Sequence, residues 1–119
     1  MPLPAEALVI HQLFDRDALE ASCHWQPLRE GVDISFIYHD ENEGPQAAFL
    51  RYQPGARIPT HAHLGLEHIL ILHGSQEDGD KTYAPGSLAI HPAGTRHQIY
   101  SPEGCLALGF WQRPVQFVQ

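Results

Sequence analysis

The sequence predicts an all-β fold, a sandwich or closed barrel built as one domain. Three observations carry that expectation. Gly- and Pro-rich breaks recur at short intervals, in "EGPQ", "QPGA", "LGLE", "HGSQEDGDK", "APGS", "PAGT", "SPEG" and "QRP", and these are the residues of tight turns. The apolar stretches between them, among them "AAFLRY", "HILILH", "SLAIH", "HQIY" and "CLALGFW", are too short for ordinary helices and have the length of strands. With 119 residues, the chain has material for a single hydrophobic core and not for two. Short apolar runs at close spacing are the pattern of antiparallel barrels and sandwiches.

In chain order, residues 1 to about 24 read as a peripheral arm and residues 25–119 as the barrel. The arm holds the one helix candidate, "DRDALEASC" from Asp15 to Cys23, where an Asp can cap a turn or two. The strand "AAFLRY" runs into the "QPGA" turn, after which the chain reaches His61 and His63. A bend, "LGL", returns it through "EHILILH". The polar "HGSQEDGDK" makes the next turn. A strand from Gly86 to His91 then enters a Pro-Ala-Gly turn and leaves through "RHQIYS" toward "SPEG" and "CLALGFW". No internal repeat and no linker interrupts this succession.

Charge and composition narrow the function. Seven basic against fourteen acidic residues give a formal net charge of −7, which opposes binding to nucleic-acid phosphates and anionic membrane surfaces. The start "MPLPAEALVIHQLF" has no basic segment and too short an apolar run for a signal peptide, and no stretch approaches a membrane span. A cytoplasmic protein is the expectation. Cys23 and Cys105 lack metal-ligand spacing and are expected as free thiols.

The segment "PTHAHLGLEHILILHG", residues 59–74, holds four histidines and one glutamate, and three of these ionisable groups, His61, His63 and Glu67, fall on what otherwise reads as the inside of a sheet. Side chains alternate along a strand, so His61 and His63 share a face and Ala62 takes the other. After the bend, Glu67 can return to face them, whether the bend forms a hairpin or crosses a corner between sheets. Three such groups inside a barrel are costly unless something compensates their desolvation. A divalent cation does so, and imidazole with carboxylate suits zinc, iron, manganese, cobalt or nickel better than calcium or magnesium. An exposed strand with chance histidines is the alternative at this point. A fourth donor from His97 would complete a set of three imidazoles and one carboxylate.

Gly55, five residues, His61, one, His63, three, Glu67, six, Gly74, followed later by Gly86, five residues, Pro92, one, Gly94, two, His97, resembles the two motifs of the cupin superfamily. That pattern usually continues with an Asn four residues after the last histidine, where this chain has Ser101. A closer resemblance is to the ChrR-like cupins, through "WQPLREGV" at 25–32, "RYQPGARIPTHAHLGLEHILILHGS" at 51–75, "YAPGSLAIHPAGTRH" at 83–97 and "SPEGC" at 101–105. The resemblance implies a double-stranded β-helix, the cupin jelly-roll barrel, with one metal ion, zinc or iron foremost, held by His61, His63, Glu67 and His97. It implies that homodimers are common. It does not carry over the sigma-factor grip of the ChrR anti-sigma factors, whose helical domain has no counterpart in the two dozen residues before "WQPL".

Other polar residues are candidates for accessory contacts. His91 flanks the same turn as His97 and can reach the mouth, as a neighbour of the ligands or of a bound molecule. Arg57, Tyr83, Arg96 and Gln98 are candidates for a carbonyl or anionic ligand. His68 takes the opposite face to Glu67, His73 falls at the far rim, and His11, His24 and His39 are expected at the surface. Ile69, Ile71, Leu88, Ile90, Ile99, Leu106 and Phe110 are expected as apolar walls, with Trp25 and Trp111 as core or interface anchors. The function this supports is small-molecule binding or sensing through a mononuclear centre. The alternatives are a dioxygenase-type metalloenzyme acting on a small carbonyl compound, and a barrel that its metal merely stiffens.

Overall fold

The computed structural model describes residues 2–118. Strands β1 (Gln26–Arg29), β2 (Val32–His39), β3 (Gln46–Tyr52), β4 (Ala56–Ala62) and β5 (Glu67–Gly74) are followed by β6 (Gln76–Asp78), β7 (Lys81–Tyr83), β8 (Leu88–His91), β9 (Arg96–Ser101), β10 (Cys105–Trp111) and β11 (Gln116–Phe117). They form a six-stranded sheet in the order β1-β2-β3-β10-β5-β8 and a five-stranded sheet in the order β11-β4-β9-β6-β7. Each strand pairing is antiparallel. The predicted all-β jelly roll is the fold observed.

Because β4 and β5 belong to different sheets, the "LGL" bend crosses a corner of the barrel. That crossing sets the His61/His63 segment opposite Glu67. The interior between the sheets is filled by alternate residues of facing strands, including Ile34, Leu50, Ile58, Ile69, Ile71 and Ile99. These β-branched and γ-branched side chains suit a pleated surface buried on one face.

The one helix among the described residues, α1 (Arg16–Ser22), lies where the sequence places it, and the Asp15 carboxylate accepts from the Ala18 N–H at 3.1 Å. Such a cap contributes about 1 kcal/mol. Leu19, only 1 % exposed, plugs a second apolar cluster with Phe49, Leu72, Leu106 and Leu108. This cluster lies on the outer side of the six-stranded sheet, so Leu106 packs beneath the helix and is not a wall of the cavity. Leu88, Ile90 and Phe110 are likewise not walls, being 57 %, 53 % and 42 % exposed. Strand alternation explains it: with His91 and Trp111 facing inward, their neighbours Ile90 and Phe110 face out. Cys23 and Cys105 are both free, and burial pushes the Cys105 thiol up to about 12. Ser101, fully buried, donates to the Ser75 carbonyl at 2.7 Å.

Candidate metal centre

Two rows of cross-strand neighbours and one turn assemble the site. In the five-stranded sheet, His61 of β4 pairs directly with His97 of β9. In the six-stranded sheet, Glu67 of β5 lies between Trp111 of β10 and His91 of β8. Directly opposed residues bring their side chains together, so each row presents its polar groups as a unit. His63 lies beyond the end of β4 and is held by the Pro92–Thr95 turn. Its N–H donates to the Thr95 carbonyl at 2.9 Å, and its own carbonyl accepts from Gly94 N–H at 2.8 Å. The turn that introduces His97 therefore also fixes His63.

His61, His63 and Glu67 are buried at 5 %, 2 % and 3 % exposure. With His97 they offer four ligand atoms that all lie within 4.8 Å of one another, an arrangement that can hold a metal ion.

The hydrogen bonds around the rings decide which nitrogen faces inward. The His61 Nδ1–H donates to the Pro59 carbonyl at 2.9 Å, because a carbonyl can only accept. The Thr95 hydroxyl donates to the Pro92 carbonyl at 2.6 Å, so its oxygen is left to accept from the His63 Nδ1–H at 2.8 Å. The His97 Nδ1–H donates to Asp78 Oδ2 at 2.8 Å. All three neutral rings thus keep the proton outside and turn an Nε2 lone pair inward. Two of those lone pairs, on His61 and His97, face each other at 3.0 Å. Trp111 Nε1–H occupies Glu67 Oε2 at 2.7 Å and leaves Oε1 to the cluster. That oxygen and His63 Nε2 are buried with no hydrogen-bond partner, although only 3.2 Å apart. Lone pairs converging without protons between them call for a cation. Two nitrogens bound at about 2.1 Å to one ion and at right angles are about 3 Å apart, the spacing found between His61 and His97. The residues fit a metal on this observation alone.

Electrostatics agree with that reading. Burial lowers His61 and His97 below the usual imidazole range, which favours the neutral ring. Burial alone would push the Glu67 carboxyl up, but His63, His91 and Trp111 outweigh it and hold the group well below the usual carboxylate range. Asp78 behaves similarly: the raising effect of burial is outweighed by His97 and Tyr83, and the carboxyl is lowered. Tyr83, which donates to Asp78 Oδ2 at 2.9 Å, is pushed up to about 12 by burial and by that carboxylate.

His91 borders the cluster, its Nδ1 3.0 Å from Glu67 Oε1 and its Nε2 3.4 Å from Asp78 Oδ2, and it groups with Asp78 and His97 and not with the four. The Glu67 contact, opposed by burial, raises its pKa. Arg57 points outward and stacks on Tyr100 at 4.1 Å, and Gln98 and Arg96 are exposed. These three do not line the cavity, and Tyr83 meets the surroundings of the cluster through Asp78 and through the His91 ring, 6.4 Å away between centroids. His68 lies on the outer face, in register with Ile90 and Phe110, and His73 sits at the far end of β5 from Glu67. Trp111, expected as a core or interface anchor, is part of the buried core, and it also lines the cavity and donates to the Glu67 carboxylate. Asp78 and Thr95 were not singled out by sequence. Thr95 is legible only once His63 is known to lie over the turn. Asp78 looks like any acid of "QEDGDK".

Beside the cluster lies a cavity of about 130 Å³, bounded by Ile34, Leu50, Ile58, Ile69, Ile99 and Phe117 among others. An apolar cavity of about 150 Å³ accommodates benzene, which sets the scale of a ligand. No Lys or Arg of the described residues lines it, so it offers no cationic partner to a phosphate or carboxylate.

Residues 18–114 match the family described as the ChrR cupin-like domain. No curated protein sequence matches the chain. Among solved structures, the chain resembles the anti-sigma ChrR in complex with SigE from Rhodobacter sphaeroides (24 % identity, TM-score 0.67, 76 % of this chain and 49 % of that one). It also resembles an acetylacetone dioxygenase from Acinetobacter johnsonii (16 % identity, TM-score 0.77, 100 % and 82 %). A third is a protein of unknown function with a cupin-like fold from Ralstonia eutropha (22 % identity, TM-score 0.68, 75 % and 60 %). The chain thus spans about half the length of the ChrR chain and 60 % of the Ralstonia one. At these identities the likeness is one of fold.

Proposed function

The chain belongs to the ChrR cupin-like family, and from that premise we propose that it is a single-domain metal-binding cupin that binds or senses a small molecule through a mononuclear centre. His61, His63, Glu67 and His97 are the ligands. The observation that carries this reading is the set of inward Nε2 lone pairs around an unpartnered carboxylate oxygen. Thr95, Asp78 and the Pro59 carbonyl hold the ring protons outside, which orients each imidazole before any ion arrives. A divalent transition metal, zinc or iron first and manganese, nickel or cobalt next, would supply Lewis acidity there, and iron would add redox chemistry. The apolar cavity selects a small molecule without charged groups and keeps bulk water from the centre. A homodimer and a cytoplasmic location belong to the same reading; the exposed apolar row of Leu88, Ile90 and Phe110 supports the first.

A dioxygenase acting on a small carbonyl compound is the second reading. It is favoured by the likeness to the Acinetobacter johnsonii enzyme over all of this chain and by the size of the cavity. Metal analysis of protein purified without added ions should return about one transition-metal ion per chain. Sub-stoichiometric metal after purification and after reloading would overturn the first proposal. Iron-loaded protein assayed for oxygen uptake with small diketones and thiols separates the two; zinc as the resident metal, with no uptake after iron loading, sinks the dioxygenase.

Acid should release the metal. In the metal-free fold, His61 and His97 have lowered pKa values, so the unfolded chain takes up protons first as pH falls below about 6.5. Stability present above that value is lost on acidification, and the lowered Glu67 continues the loss below about 4.3. A bound ion competes with the same protons. Occupancy measured after dialysis should therefore decline from about pH 6 downward. Full retention at pH 4 is incompatible with histidine ligation.

A further inference from the structure

We propose that Tyr52 binds the end of a ligand that lies away from the metal, so that the cavity takes a small neutral molecule with a metal-binding donor at one end and a carbonyl or ether oxygen at the other. The inference rests on the metal-binding reading above and names the class of molecule its cavity selects.

Position is the first argument. Alternation along β3 puts Ala48, Leu50 and Tyr52 in the core between the sheets and Phe49 in the cluster under the helix. Tyr52, 4 % exposed, lines the same cavity as His61, Glu67 and His97. Strand register places it at the far end from the centre: β10 sets Trp111 beside Glu67 at one end and Cys105 opposite Tyr52 at the other. Between these ends the wall is apolar, with Leu50, Ile58, Ile69 and Ile99.

The second argument is the hydroxyl. Among the described residues, none makes a hydrogen bond with it. Other buried polar groups nearby are paired, Gln76 with the Cys105 thiol and Ser101 with the Ser75 carbonyl. A buried hydroxyl without a partner is costly, and a Phe would fill the same space without that cost. Burial, with smaller effects of Cys105 and Glu67, raises the phenol well above its usual range, so the group keeps its proton. A donor with no acceptor in the protein calls for one on the molecule that fills the cavity, the role of the few placed polar groups in an otherwise apolar pocket.

The competing arrangement is a water molecule that pairs with Tyr52 and takes no part in selection. Spectrophotometric titration of the cobalt(II)-loaded full chain distinguishes them. The probes are methyl ketones carrying a terminal thiol, in graded chain lengths, and alkanethiols of the same lengths. At the length that spans from the ion to Tyr52, the ketone should bind wild type roughly tenfold more tightly than its alkanethiol, the worth of one hydrogen bond. Tyr52→Phe should abolish that preference, and the metal-free variant should melt no lower than wild type, because it loses an unpaired hydroxyl and keeps the ring. Equal preference in the two proteins, or none at any length, would overturn the role of Tyr52 and leave the metal centre intact. A Tyr52→Phe chain that melts lower or does not fold would do the same, since the hydroxyl would then be bonded within the protein. Wild type that takes up no cobalt would overturn the metal reading and this inference with it.

Discussion

Replacing His63 with Ala should abolish stoichiometric metal binding while leaving a folded barrel. His63 is 2 % exposed, its Nε2 is the nitrogen turned toward the cluster, and its Nδ1 is committed to Thr95. Loss of an orienting partner alone costs 10- to 100-fold in affinity; loss of a ligand should exceed roughly 100-fold. The variant keeps the backbone bonds from residue 63 to Thr95 and Gly94, so the turn survives. Glu67→Gln is the companion: the amide oxygen can still accept from Trp111 Nε1–H, which Ala would strand at a cost of about 1–3 kcal/mol, but the anionic charge is gone. His68→Ala, one residue away and on the outer face, should bind metal like wild type. Because an ion bound only by the native state adds RT ln(1 + [L]/Kd), about 4 kcal/mol at a thousandfold excess over Kd, chelation should lower the wild-type Tm by roughly 15 °C and leave His63→Ala unmoved. Equal responses to chelator in the two proteins would remove His63 from the centre.

The parts of this centre that sequence could reveal are those governed by periodicity. His61 and His63 share a face by alternation, and Glu67 follows a bend short enough to bring it back. The partners that complete the site come from distant strands, and alternation says nothing about which strands become neighbours. Trp111 reaches Glu67 only because β10 lies beside β5, and Asp78 reaches His97 only because β6 lies beside β9. Leu88, Ile90 and Phe110 show a different failure: their hydrophobicity suggested wall positions, but each lies an odd number of residues from an inward-facing group, His91 or Trp111. Parity, taken from the site outward, places all three on the outer surface, where their exposure agrees. Apolar character alone did not distinguish the inside of the barrel from the outside of its sheet.

Gly74→Ala should be the most damaging small substitution in the barrel, and Gly55→Ala, at the other glycine of the same motif, a mild one. Both residues have positive φ, +76° and +86°, so both incur the penalty of roughly 1–2 kcal/mol for a Cβ in the left-handed region. Their surroundings differ. A Cβ at Gly55 meets nothing within 4 Å, whereas one at Gly74 would stand 2.0 Å from the Gly104 carbonyl oxygen and 2.8 Å from its carbon. Both obstacles are backbone, so no rotamer relieves them. The β5 end must move away from the turn before β10, and that movement breaks the Ser75 N–H bond to Gly104 at 3.1 Å and strains the buried Ser101 bond to Ser75 at 2.7 Å. Clash, φ penalty and lost hydrogen bonds together place the cost at roughly 3–5 kcal/mol, a fall of about 10 °C or more in Tm, against a few degrees for Gly55→Ala. The close approach at Gly74 anchors the far end of the strand that begins with Glu67. A folded Gly74→Ala protein should therefore also bind metal more weakly, through a shift in the register that sets Glu67 between Trp111 and His91. Matching melting temperatures for the two variants would show that the contact with Gly104 does not constrain β5.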